Sequence, residues 1–214
     1  LSICSGDGIA AIFKDINVDR VIEGGQTMNP SAQDIADAII KINAENIFVF
    51  PNNKNIILAA EQSKSLVEGK KVYVVPTKSI PQGISAALAM NPEASADENF
   101  IEMIHAIDNV SSGMVTYAVR NAKVDGFSLT KGDIIALDNK KVLAKGKDLS
   151  KVTGDLIEKL RYNAHSLINL YYGSDVTEED ATALQASLAE RYPDLDVELF
   201  YGGQPIYYYI VSLE

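Results

Sequence analysis

The rhythm of hydrophobic and polar positions changes once along the chain. Up to about residue 109, short apolar runs alternate with amphipathic stretches. Ser2–Cys4, Arg20–Glu23, Asn46–Phe50 and Val72–Val75 lack polar alternation. That is the pattern of strands buried on both faces of a parallel sheet. Between them, helical spacing recurs. Ile9, Ile12 and Phe13 share one side of a short stretch, and Ile35, Ala38, Ile39 and Ile42 form an i, i+3, i+4, i+7 stripe from Ala32 to about Asn43. Ile56–Glu68, with Asn55 as cap, and Ile84–Met90 complete the series. Ser31 with Asp34, and Ser95 with Glu98 ahead of a helix to about Ile107, have capping-box spacing.

After Asn109–Gly113 the texture changes. Val115–Val119, Lys123–Val124, Ile134–Leu137 and Lys141–Ala144 are short strands separated by Asp125-Gly126, Lys131-Gly132 and Asp138-Asn139, which reads as antiparallel hairpins. A helix over Asp148–Arg161 follows, with Val152, Leu156 and Leu160 inward, then a strand at Ser166–Tyr171. Thr177 caps a helix to about Tyr192, and Val197–Tyr201 and Ile206–Leu213 are strands. The pattern predicts an α/β fold in two lobes. Residues 1–109 form a mainly parallel sheet with flanking helices, and residues 110–214 form a mixed α/β lobe.

Right-handed crossovers would place the connections after the first four strands on one edge of the sheet, where open α/β sheets bind ligands and partners. Those connections are rich in uncharged polar groups. They hold Gly6, Asp7 and Gly8; Gly24, Gly25, Gln26, Thr27 and Asn29; Asn52, Asn53 and Lys54; and Lys78. Backbone amides at helix starts, with lysines, suit an anion or a partner carboxylate. Ordinary turn and cap chemistry is the competing account. A second Gly-Gly-Gln elbow, Gly202–Gln204, follows a late strand. Tyr208, in a run of three tyrosines, is a candidate contact residue, with packing on a helix as the alternative.

Composition narrows the chemistry. A formal net charge of −10 argues against nucleic acid as the main partner. No apolar run approaches membrane-helix length, about 20 residues, so no membrane insertion is expected. Leu1–Cys4 lacks a signal peptide's basic start, and the single Cys4 suits the cytoplasm. No phosphate-loop or dinucleotide glycine motif is present. His105 and His165 have no partner pattern for metal binding or nucleophilic catalysis, and the Glu178-Glu179 pair favours a helix start. No catalytic residue and no metal ligand is therefore assigned.

The strings Val21–Ser31, Pro51–Ile56, Pro76–Gly83, Gly113–Arg120 and Gly202–Pro205, in order over essentially the whole chain, resemble the carboxyl-terminal region of bacterial fatty acid kinase. That family is also described as dihydroxyacetone-kinase-like. The resemblance implies the two-lobed fold shared by dihydroxyacetone kinase and the fatty-acid-binding DegV proteins. It implies an accessory domain that docks the acyl-carrying fatty-acid-binding protein. The full-length chain's own ATP-binding domain would then phosphorylate the acyl carboxylate. ATP and magnesium are expected on that other domain, with no cofactor on these residues. The histidine that holds substrate in dihydroxyacetone kinases has no counterpart in the matching motifs. A homo-dimer is left open. A lipid- or small-molecule-binding domain with its own pocket is the alternative, and a complete enzyme is a third reading. Ordered acyl chain inside the domain would favour the pocket, and a catalytic constellation would favour the enzyme.

Overall fold

A computed structural model describes residues 1–25, 28–139, 141–162 and 164–214. By their contacts these form two units, Leu1–Ser5 with Ile9–Val110, and Gly6–Gly8 with Ser111–Glu214.

In the first unit, β1 (Ser2–Cys4) pairs parallel with β2 (Val21–Glu23), Ser2 opposite Val21. Strand β3 (Asn46–Val49) pairs parallel with β4 (Lys71–Val74), Asn46 opposite Lys71. A parallel bridge between Ser2 and Phe50 joins the two pairs. The order is therefore β2-β1-β3-β4, with all four strands running one way. The absence of polar alternation has a direct cause in packing. Ile47, Val49 and Val74 enter one core, with Ile35 and Ile39 of α2 (Ala32–Ile40) and Ala60 of α3 (Ile57–Ser63). Phe48, Phe50 and Val75 enter the other, with Ala86 of α4 (Ile80–Leu88) and Met103 and Ile107 of α5 (Ala96–Asp108). Successive residues point to opposite faces, and helices cover both. Each fully buried isoleucine here contributes about 1.5–3 kcal/mol by leaving water.

The capping boxes at Ser31 and Ser95 form, each hydroxyl accepting from the third helical amide while the carboxylate returns to the cap amide. Two helix boundaries differ from the spacing-based expectation. Helix α4 begins at Ile80, not Ile84, because Ser79 caps it and Pro81 fits the first turn, where no amide is needed. Asn55 is not the cap of α3. Ile56 holds that position without a side-chain bond, and the Asn55 amide donates to Asn53 Oδ1 at 2.9 Å. The helix stops at Ser63 and tightens into a 3₁₀ turn at Lys64–Leu66.

In the second unit the chain makes β5 (Ser111–Tyr117), the hairpin β6 (Ala122–Val124) and β7 (Phe127–Leu129), then β8 (Ile134–Leu137) and β9 (Val142–Gly146). Helix α6 (Leu149–Leu160), β10 (Leu167–Tyr172), α7 (Glu178–Arg191), β11 (Asp196–Tyr201) and β12 (Tyr209–Leu213) follow. Six strands form one sheet in the order β11-β10-β12-β5-β8-β9. Only β10 and β11 are parallel. Val115, Ile168, Leu170, Tyr209 and Val211 face Leu156, Ile157, Leu184 and Leu188 of α6 and α7 in its core. The last strand starts at Tyr209, not Ile206. Ile206 takes a positive φ of 74°, and the Tyr207 amide turns back to Pro205 O at 2.8 Å. Tyr207 and Tyr208 thus belong to a turn.

Asp133, with a side chain 8% exposed, accepts from Lys147 Nζ at 2.7 Å and from the Thr130 amide at 2.8 Å. These bonds, the lysine's first, hold its carboxyl below the ordinary 3.8. A depressed carboxylate adds stability above its unfolded value and loses that contribution as pH falls through the folded one. A carbon-detected NMR titration should therefore place the Asp133 midpoint below 3.8, and a midpoint at or above that value would refute the pairing.

Candidate functional site

Because β1 to β4 are parallel, the chain leaves all four at the same edge, and the elbows at Gly24, Asn52 and Thr77 share it. The edge has two layers. The inner layer is a closed hydrogen-bond network. Asn52 is buried and adopts a left-handed φ of 57°, which asparagine tolerates better than most residues. Its amide donates to Thr77 Oγ1 at 2.9 Å, and its Nδ2 donates to Ser2 Oγ at 2.9 Å and to Ile3 O at 3.0 Å. Thr77 Oγ1 donates back to Asn52 Oδ1 at 3.0 Å. Ser2 and Thr77 are fully buried. Gly83 of α4 leaves room for this side chain, since a Cβ there would lie 2.0 Å from Asn52 Oδ1. Asn52 therefore ties together the ends of β1, β3 and β4, and its donors and acceptors are occupied inside the fold.

The outer layer faces solvent. Met28, Asn29, Lys54 and Lys78 are exposed and Asn53 is half-buried. Gly24 is buried against Ile3 and Pro30, and the Gly25 amide donates to Met28 O at 3.0 Å. The proposed contact residues Gln26 and Thr27 lie outside the described residues.

The remaining candidates belong to the second unit. Asp7 is exposed, and its Oδ1 accepts from the Gly8 amide at 3.0 Å. The Gly6–Gly8 and Gly202–Gln204 elbows meet, with Gly6 against Gly202 O and Asp7 against Gly203. The Asp7 charge first, then partial burial and their hydrogen bond, raise the Tyr201 hydroxyl above its ordinary value. Sequence reading paired neither elbow with the other. Gln204 is buried, its Nε2 donating to Tyr171 O at 2.8 Å, while its Oε1 is buried without a partner among the described residues. Tyr208 lies apart, half-buried, its ring centroid 6.1 Å from that of Tyr117.

Burial first, then Glu23, push the Cys4 thiol up to about 12, so it stays protonated at neutral pH. His105 is exposed with Glu102 at 3.8 Å, and His165 Nδ1 accepts from the Tyr162 amide at 3.0 Å. Among the described residues no group of three His, Cys, Asp or Glu is placed to hold a metal. At the opposite, amino edge of the first sheet, a cleft of about 740 Å³ opens among Phe48, Phe50, Met90, Met103, Asn17 and Asp19. No described helix is long and apolar enough to cross a membrane.

The fold is that of the DegV proteins and dihydroxyacetone kinase. A DegV family protein of Corynebacterium glutamicum superposes with a TM-score of 0.71 at 13% identity, covering 99% of this chain and 96% of that one. The native dihydroxyacetone kinase of C. freundii gives 0.67 at 13% identity, over 99% of this chain and 47% of its own. The fatty acid kinase B3 protein of Streptococcus pneumoniae, loaded with linoleic acid, gives 0.63 at 15% identity, over 86% and 76%. At such identities the likeness concerns the fold alone.

The family follows from sequence. Residues 1–214 match the C-terminal family of fatty acid kinase A-like proteins, and the chain belongs to it. Protein YloV of Bacillus subtilis is 42% identical over 214 residues, all of this chain and 38% of YloV. An uncharacterized protein of Staphylococcus aureus strain MRSA252 is 38% identical over the whole chain, which spans 39% of that protein. The chain thus spans well under half the length of these curated relatives.

Proposed function

We propose that this chain is the docking domain of a fatty acid kinase. It holds an acyl-carrying fatty-acid-binding protein so that an ATP- and magnesium-binding domain elsewhere in the kinase can phosphorylate the acyl carboxylate. Family membership over the whole chain supports the kinase. The observation that carries the docking role is the outer row of Met28, Asn29, Asn53, Lys54 and Lys78 on one sheet edge, held by a buried inner network. A rigid edge lets amides fix orientation and an exposed apolar side chain fill a partner pocket, while lysines attract carboxylates. In this reading the chain's residues position and the other domain does the chemistry, a division that turns binding energy into proximity.

Calorimetric titration with the acyl-carrying protein tests this. Lys54→Ala alone should weaken binding by about 1 kcal/mol or less, as a rim contact. The combined Met28→Ala/Asn29→Ala/Lys54→Ala/Lys78→Ala variant should weaken it by at least about tenfold. Unchanged affinity in a folded combined variant would place docking elsewhere.

The amino-edge cleft favours a second reading, a lipid- or small-molecule-binding domain. Its volume of about 740 Å³ and its aromatic and methionine lining suit an apolar ligand. Native mass spectrometry of the purified chain would show a retained acyl chain only under this reading.

A further inference from the structure

The chain is acidic, but its charge is not evenly spread. Between Arg120 and Lys151 stand eight of its 19 lysines and arginines against four of its 29 acidic residues. The remainder holds 11 against 25. Lys140 lies outside the described residues, and the other seven cations are all exposed. The fold brings the segments that carry Lys123, Lys141 and Lys145 side by side in the second unit. The β6–β7 hairpin lies along β9, an edge strand of the six-stranded sheet. Asp125 Oδ2 at the hairpin tip accepts from the Val142 amide at 2.7 Å, and Lys145 Nζ donates to Ser128 O. The Lys131 amide donates to Asn121 Oδ1 at 2.7 Å, closing the hairpin base beside Arg120.

The four carboxylates of this segment are engaged within it. Asp133 takes Lys145 and Lys147, while Asp125, Asp138 and Asp148 accept from backbone amides. Among the described residues Arg120, Lys123, Lys131 and Lys141 enter no ion pair. Val119 and Val124 stand among them, 70% and 41% exposed. A cationic rim around exposed apolar side chains is the anatomy of a protein-docking face.

We propose that the hairpin and β9 form an electrostatic steering surface for an acidic protein face. Resting on the docking function proposed above, that face belongs to the acyl-carrying protein. Charge complementarity selects this occupant. The remainder of the chain is strongly negative, so an extended polyanion such as a lipid plane or a long duplex meets repulsion alongside the attraction. A compact acidic patch matches the face alone. Seven of the eight cations are lysines, flexible point charges that suit steering better than the bidentate reading of phosphates or bases. Such a surface acts mainly on the association rate.

Stopped-flow association of the chain with the acyl-carrying protein, over a salt series, decides it. The reversed variant Arg120→Glu/Lys123→Glu/Lys131→Glu/Lys141→Glu should associate about tenfold more slowly at low salt, with dissociation little changed and the salt dependence flattened. The glutamine version of the same four positions should fall between, and circular dichroism confirms that both stay folded. Association of the folded reversed variant at the wild-type rate and salt slope overturns the steering surface and leaves the docking function standing. No binding by the wild-type chain overturns both. Capture of the wild type by phosphatidylglycerol vesicles or duplex DNA, lost in the reversed variant, overturns the assignment to a protein partner.

Discussion

Asn52→Ala should destabilise the first unit by about 3 kcal/mol, close to the largest cost a single polar truncation carries. Three effects act together. Ser2 Oγ and Ile3 O lose a donor, and Thr77 Oγ1 loses its acceptor, all in places water does not reach. Each orphaned buried group costs about 1–3 kcal/mol, partly recovered by local relaxation. Alanine also tolerates the φ of 57° less well than asparagine. Asn52→Asp separates the contributions, because it keeps the shape but cannot donate to Ser2 and Ile3 O. It should lose a comparable amount at neutral pH. Urea unfolding with amide exchange reports both variants, and faster exchange should concentrate in β1, β3 and β4. A loss below about 0.5 kcal/mol, the range of ordinary surface changes, would show that the network is not what holds the strand ends together.

Gly173→Ala should be at least as damaging to the second unit, by roughly 3 kcal/mol or more. A Cβ at Gly173 would lie 2.1 Å from Tyr207 O and 2.6 Å from Gln204 O. Both are backbone oxygens, so relief requires the 204–208 turn to move as a piece. That turn is fastened by the Gly173 amide to Tyr208 O at 2.9 Å and by the Ser174 amide to Gln204 O at 3.2 Å. Moving it would pull Tyr209 from the core. Loss of near-ultraviolet tyrosine signal together with a lower unfolding midpoint is the expected result. Gly25→Ala is the matched control, since among the described residues its Cβ would meet only Ser5 Cβ at an ordinary 3.5 Å. Equal stability of Gly173→Ala and wild type would mean that the turn is loosely held.

The periodic segments were legible because one physical cause dominated them. Ile35, Ala38 and Ile39 could face a core only from a helix, and Asn46–Val49 could bury both faces only inside a parallel layer. Boundaries were less legible, because short-range rules compete there. Pro81 reads as a breaker yet serves as a first-turn residue, and Asn55 has the composition of a cap but not its geometry. The 206–208 turn could not be foreseen, since nothing in isoleucine signals a positive φ at Ile206. At the candidate site, residue type and sheet edge were legible but depth was not. Asn52 and Lys54 stand two positions apart, one sealed inside the network and the other exposed. The contact between the Gly6–Gly8 and Gly202–Gln204 elbows spans nearly the whole chain and has no local signature. The basic face was within reach, since its charge count needs only the sequence, but averaging over the chain hid it.

The position of β12 has a consequence for how the second unit is made. It lies between β10 and β5, and its five sheet partners all precede it in the chain. As the polypeptide emerges from the ribosome, the β5-β8-β9 meander and the β10-β11 pair are complete before the strand that joins them exists. Each half must wait with one side open, which places the slow, long-range closure of this sheet after β12 has been made. The first unit is built the opposite way. Its earliest strand, β1, is already central, and later strands add outward on either side. One half of the molecule can thus grow as it is translated, while the other is assembled in a single late step.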